Sequence, residues 1–127
     1  AWLSIEILMD EDIIYQISED MLQVIMDNLI LNSVQQNDNT QKLLVSIKAS
    51  ESNGILKIKY SDNGKGLDDK YKGNPKKILE VHETTRINGH GLGMWIVNNT
   101  CIMSGGEIQK IEGEEGFSIE FTIGGKL

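Results

Sequence analysis

The chain has 127 residues, 39% of them hydrophobic, with 19 acidic against 12 basic side chains and a formal net charge of −7. That size suits one domain with one buried core, and the acidic balance disfavours nucleic acid as a partner, because phosphate backbones need clustered Lys and Arg. No apolar run approaches the roughly 20 residues of a membrane helix, so no membrane contact by this domain is expected, and the one cysteine, Cys101, excludes an internal disulfide.

The N-terminal Ala1-Trp2-Leu3-Ser4 has no basic region and no cleavage pattern, so no signal peptide is expected. A start at Ala within strand-like sequence suggests a piece of a longer protein. The lone thiol fits a reducing cytoplasm.

Ser4 to Leu8 and Ile13 to Ile17 read as two short strands, joined by the acidic turn Met9-Asp10-Glu11-Asp12 as a hairpin. Ser18 is a good N-cap, and Glu19 and Asp20 sit where the helix dipole favours acids. The pattern is then helical to about Gln36, with Leu22, Ile25, Met26, Leu29 and Ser33 on one face at spacings of three and four. Leu43 to Ser50 and Ile55 to Ser61 read as paired strands around the turn Ser52-Asn53-Gly54. In the second of these, Ile55, Lys57 and Lys59 alternate with Leu56, Ile58 and Tyr60.

Residues 62–88 lack periodicity, and a loop that long inside a compact domain is usually functional. Ile78-Leu79-Glu80-Val81 suggests one helical turn within it. Gly91 to Ser104 is helical again and ends at Gly105-Gly106. Glu107 to Glu112 and Phe117 to Ile123 are strands joined by Gly113-Glu114-Glu115-Gly116. This order of elements predicts an α+β fold, a two-layer sandwich with helices on one face of a mixed, mostly antiparallel sheet. A single domain over 1–127 accounts for all of it.

Three segments carry chemistry. Asn28 and Asn32 are four apart, so they stack on one helical face and flank the apolar stripe. Asparagine is a mediocre helix former, and its amide oxygen is a hard ligand suited to Mg²⁺. Asp62-Asn63-Gly64-Lys65-Gly66 follows a strand directly. It reads either as a plain turn or as a carboxylate at the sheet edge that accepts from an adenine amine, with glycines that let the base approach the backbone. Gly89-His90-Gly91-Leu92-Gly93-Met94 opens a helix and exposes N–H groups to an anion, with Thr84, Thr85 and Arg86 just upstream.

Together, in this order, the three segments resemble the catalytic domain of sensor histidine kinases, in the GHKL superfamily with its Bergerat ATP-binding fold. Asn28-Leu29-Ile30-Leu31-Asn32-Ser33 resembles the N-box. Asp62-x-Gly64-x-Gly66 and Gly89-x-Gly91-Leu92-Gly93-Met94 resemble the two glycine boxes. The lid segment between them is matched by Ile78-Leu79-Glu80 and Thr84-Thr85-Arg86. The resemblance implies that ATP and Mg²⁺ are the cofactors. Asn32 would coordinate Mg²⁺, with Asn28 assisting or contacting phosphate. Asp62 would read adenine, with Gly64 and Gly66 as the near wall. Gly89, Gly91, Leu92 and Gly93 would cradle the phosphates with Thr85 and Arg86, and residues from about 67 to 88 would form the ATP lid.

The sequence departs from that pattern at three places. Gln35 stands where many members carry a basic residue, and Val81-His82-Glu83 stand where Phe is common. A Ser or Thr of the final strand often backs the adenine aspartate, and Ser118 and Thr122 are both candidates here.

ATPases of the superfamily are similar to one another in placing a glutamate, the general base that activates water, where this chain has Asn28. An amide cannot take a proton, and Asp27 points about 100° away around the helix. The resemblance therefore implies phosphoryl transfer to a protein histidine. The acceptor would lie on a separate helical dimerisation domain, with a response regulator downstream. His82 and His90 read as loop residues. The setting implied is the cytoplasm, whether free or as the inner part of a membrane-anchored sensor. Two other readings share these motifs: a GHKL protein serine kinase of the anti-sigma type, and a degenerate nucleotide-binding interaction module. Cys101, Trp2 and Trp95 read as packing residues, and Lys70, Lys72, Lys76 and Lys77 as a solvated lid surface.

Overall fold

The computed structural model describes residues 3–9, 19–37, 42–52, 55–67, 71, 73–79 and 93–124. Strand β1 spans Leu3–Met9, helix α1 Glu19–Gln36, β2 Leu43–Ser52 and β3 Ile55–Asp62. A turn of 3-10 helix covers Pro75–Leu79, then come helix α2 at Gly93–Met103, β4 at Ile108–Glu112 and β5 at Ser118–Gly124. The five strands form one sheet in the order β1-β2-β3-β5-β4. Among the described strands β1 and β2 run parallel, and the other pairs are antiparallel. The expected mixed, mostly antiparallel sheet is therefore present.

Alternation decides the faces. In β3 the even positions Leu56, Ile58 and Tyr60 are buried and the odd positions Ile55, Lys57 and Lys59 are exposed. Antiparallel partners share a face, so Leu56, Ile58 and Tyr60 meet Ile123, Phe121 and Ile119 of β5 on the core side. Both helices cover that side. Ile25 and Leu29 of α1, and Met94, Val97 and Cys101 of α2, join the strand residues in one hydrophobic cluster with Ile78. The other face carries Lys57, 3.8 Å from Glu120, together with the exposed Leu44 and Ile55.

On α1 the predicted stripe holds: Ile25, Leu29 and Ser33 are buried, and Leu22 and Met26 are half-buried. The predicted turn near Ile78 is present as the 3-10 segment Pro75–Leu79. Helix α2 ends as its glycines predict. Gly105, at φ 91°, donates to the carbonyl of Ile102 at 3.0 Å, and Gly106 to that of Cys101 at 2.9 Å. This is the pair of hydrogen bonds of a Schellman cap, and it needs a residue free to adopt positive φ. Trp95 is 38% exposed, more open than a packing residue.

The predicted strand over 13–17 with its hairpin turn, the Ser18 cap, lid residues 68–70, 72 and 80–88, and residues 89–92 of the second glycine segment lie outside the described residues, as does Trp2. Among the described residues no helix is long and apolar enough to cross a membrane.

Candidate functional site

Asp62 is the last residue of β3, an interior strand flanked by β2 and β5. It thus stands at the end of the sheet's central strand, not at an edge. The residue is only 8% exposed, and a buried carboxylate needs donors. Three are in place. Oδ1 accepts from the Gly64 amide at 2.9 Å and the Phe117 amide at 3.1 Å. Oδ2 accepts from the Ser33 hydroxyl at 2.7 Å. Asn63 extends the pairing with β2, since its Oδ1 accepts from the Leu44 amide at 2.7 Å.

The hydroxyl backing the aspartate is therefore Ser33 of α1. Thr122 Oγ1 instead accepts from the Glu107 amide at 3.1 Å, and Ser118 pairs with Ser61 in the β3–β5 register. Ser33 also lies 2.7 Å from the Tyr60 hydroxyl, which reaches the Leu29 carbonyl at 3.1 Å. Burial pushes the Tyr60 phenol up to about 12; the bond to Ser33 opposes the rise and the charge of Asp62 adds to it. No buried side-chain polar atom among the described residues lacks a partner.

The glycines after Asp62 admit close neighbours, and those neighbours belong to the chain itself. A Cβ on Gly64 would run into the Asn37 carboxamide. Gly66, at φ 78°, lies against the Gly113 carbonyl, which accepts from the Leu67 amide at 3.1 Å. Asn37, just past the end of α1, accepts from the Lys65 amide at 2.8 Å and donates to the Ser33 carbonyl at 2.7 Å. The glycine segment is thus pinned between the end of α1 and the β4–β5 turn.

Asn28 and Asn32 are half-buried along α1, at the border of the apolar stripe as expected. The Asn28 nitrogen donates to the Val24 carbonyl at 2.7 Å. Its oxygen would lie 3.5 Å from a Cβ placed on Gly93, the first residue of α2. Asp27 is exposed. The structure brings Ser33, Asp62 and Gly64 into contact and sets Asn28 against Gly93. Thr85, Arg86, Gly89, Gly91 and Leu92 lie outside the described residues. A cavity of about 570 Å³ opens beside the β4–β5 turn, lined in part by Lys59, Ser61, Pro75 and Ser118; Asp62 and the two asparagines are not on its wall.

Sequence reasoning missed Tyr60 and Asn37 and left Ser33 as a stripe residue. A signal existed for two of them. Ser33 and Tyr60 are hydroxyl residues at positions whose periodicity points into the core, and buried hydroxyls find partners. For Asn37, in the polar sequence that follows α1, no such signal existed.

The chain matches the family model described as Histidine kinase-, DNA gyrase B-, and HSP90-like ATPase over residues 17–126. Sensor histidine kinase ZraS of Escherichia coli (strain K12) is 34% identical over 108 residues, which cover 85% of this chain and 22% of that protein. Sensor histidine kinase WalK of Bacillus subtilis (strain 168) is 29% identical over 128 residues, 91% of this chain and 20% of that protein. The chain therefore spans about a fifth of the length of these curated relatives. Among solved structures, the catalytic domain of histidine kinase ThkA shares the fold with a TM-score of 0.78 at 20% identity, covering 97% of this chain and 79% of that one. The chain belongs to the family of histidine kinase-, DNA gyrase B- and HSP90-like ATPases.

Proposed function

We propose that the chain binds Mg-ATP as the catalytic domain of a two-component sensor kinase and gives the γ-phosphoryl group to a histidine on a helical dimerisation domain outside this sequence. The observation that carries the reading is the Asp62 carboxylate, which is buried, fixed by three donors, and bonded to the residue that follows Asn32 on α1. Such a group is pre-organised to accept a hydrogen bond from a base amine. Gly64 and Gly66 form the wall beside it. In this reading Gly89, Gly91, Leu92 and Gly93 bind the phosphates, since N–H groups and the dipole at a helix start favour anions, and Thr85 and Arg86 of the lid segment 67–88 add a hydroxyl and a charge.

Asn32 and Asn28 suit a magnesium ion. The Asn28 nitrogen is turned to Val24, which frees its oxygen toward the start of α2. Magnesium binds through few protein oxygens, keeps waters and shares phosphate oxygens. When bound it would neutralise charge on the phosphate oxygens. Transfer is favoured over hydrolysis because Asn28 cannot act as a base and Asp27 faces solvent. The fraction of the relatives covered supports further domains in the parent. A response regulator as the next acceptor and the cytoplasm as the setting complete the proposal.

The test is calorimetric titration of ADP and ATP, with and without Mg²⁺, beside Asn32→Ala. Binding should weaken on chelation of the metal and in the variant. Absence of binding at millimolar nucleotide would refute the reading and leave the fold as an interaction module.

A further inference from the structure

We infer that Tyr60 and Ser33 are positioning residues that aim the Asp62 carboxylate at the exocyclic amine of a bound purine and so set the chain's preference for adenine. The inference rests on the nucleotide reading above. Proton counting leads to it. Two hydroxyl protons serve three contacts: Tyr60 to Ser33 at 2.7 Å, Ser33 to Asp62 at 2.7 Å, and Tyr60 to the Leu29 carbonyl at 3.1 Å. Two oxygens 2.7 Å apart need a proton between them. Both short contacts are satisfied together only when Tyr60 donates to Ser33 and Ser33 donates to Asp62.

A serine inside a helix ordinarily bonds the carbonyl four residues back. For Ser33 that carbonyl is Leu29's, 3.1 Å from the Tyr60 oxygen. With the Tyr60 proton on the Ser33 oxygen, Ser33 gives its own proton outward from α1 to Asp62 rather than back to Leu29. The acceptor capacity of Asp62 is then nearly used. Each carboxylate oxygen offers about two acceptor directions. Oδ1 has spent both, on Gly64 and Phe117, and Oδ2 has spent one on Ser33. Among the described contacts a single acceptor direction remains, on a side chain 8% exposed. A base amine fills it; a base carrying only hydrogen there covers it without a donor, which is costly. Without the Ser33 hydroxyl, the freed space admits water that solvates Oδ2, and the cost of a missing amine falls. Tyr60 is fully buried and cannot itself meet a nucleotide. Any effect of Tyr60 on base preference must travel through Ser33 and Asp62.

The experiment measures Kd for ATP and for purine riboside triphosphate, which is ATP without the exocyclic amine. Wild type, Ser33→Ala, Tyr60→Phe and the double variant are compared, with a thermal melt of each. Wild type should prefer ATP by about tenfold to a hundredfold, the worth of one hydrogen bond to a charged group. Each single variant should reduce that preference by about threefold or more, and the double variant by no more than Ser33→Ala alone, since the two act in series. The ratio cancels any uniform loss of binding, which is all that a merely structural role would produce. Should Ser33→Ala fail to fold, the isosteric Tyr60→Phe decides alone. A wild-type preference that survives substitution in the folded variants overturns the relay while leaving the nucleotide site intact. A wild type that binds both nucleotides equally removes the adenine reading and the relay with it.

Discussion

Replacing Asp62 by Asn keeps the shape of the side chain and changes what one terminal atom offers. The retained Oδ1 can still accept from the Gly64 and Phe117 amides at 2.9 and 3.1 Å. The new amide nitrogen takes the place of Oδ2, 2.7 Å from Ser33. Ser33 then accepts from it and donates to Tyr60, and Tyr60 turns its proton to the Leu29 carbonyl. The Ser33 side of the network recloses and the second amide N–H faces the base position, so stability should fall by only about 1–2 kcal/mol, the difference between charge-assisted and neutral bonds. Asp62→Ala is a poorer probe because it strands three donors at about 1–3 kcal/mol each, a large part of a stability of about 5–15 kcal/mol. Toward the base the change in Asp62→Asn is a reversal, since an acceptor becomes a donor facing the adenine amine. ATP affinity should drop by about tenfold to a hundredfold. GTP, whose ring carbonyl would face the new N–H, should gain relative to ATP. Calorimetric titration of both nucleotides, with a thermal melt of the variant, reads this directly. A folded Asp62→Asn protein that binds ATP within about twofold of wild type would refute the claim that this carboxylate reads the base.

Three further outcomes follow from the geometry. Gly66→Ala puts a side chain at φ 78° and against the Gly113 carbonyl; it should lower stability by about 2–3 kcal/mol, and an unchanged urea midpoint would show that the β4–β5 turn does not press on this loop. Tyr60 and Cys101 both hold their protons more tightly folded than unfolded, each rising to about 12 through burial, from 10.0 and 9.0. The unfolded chain loses these protons first, so stability should fall as pH climbs from about 9 toward 12, and Tyr60→Phe should lessen that slope; equal slopes in urea melts across this range would count against the buried phenol. Cys101 is fully buried, so its thiol should react with an aromatic disulfide reagent at neutral pH only as fast as the chain opens, and immediate labelling of folded protein would contradict the packing of α2.

The sequence determined what depends on local period. Alternation in β3 placed Leu56, Ile58 and Tyr60 inside, three-and-four spacing put Ile25, Leu29 and Ser33 on one face of α1, and Gly105-Gly106 marked the end of α2. The order of Asn28 to Asn32, Asp62 to Gly66 and Gly89 to Gly93 along these elements was enough to indicate the family, because each motif is read within one segment. What the tertiary structure decided was contact between segments far apart in the chain. The parallel pairing of β1 with β2, the choice of Ser33 rather than Ser118 or Thr122 behind Asp62, and the filling of Gly64 and Gly66 by Asn37 and Gly113 all join residues tens of positions apart. A period says which way a side chain points. It does not say which other side chain will be there to meet it, since that depends on how the whole sheet and both helices close around the core.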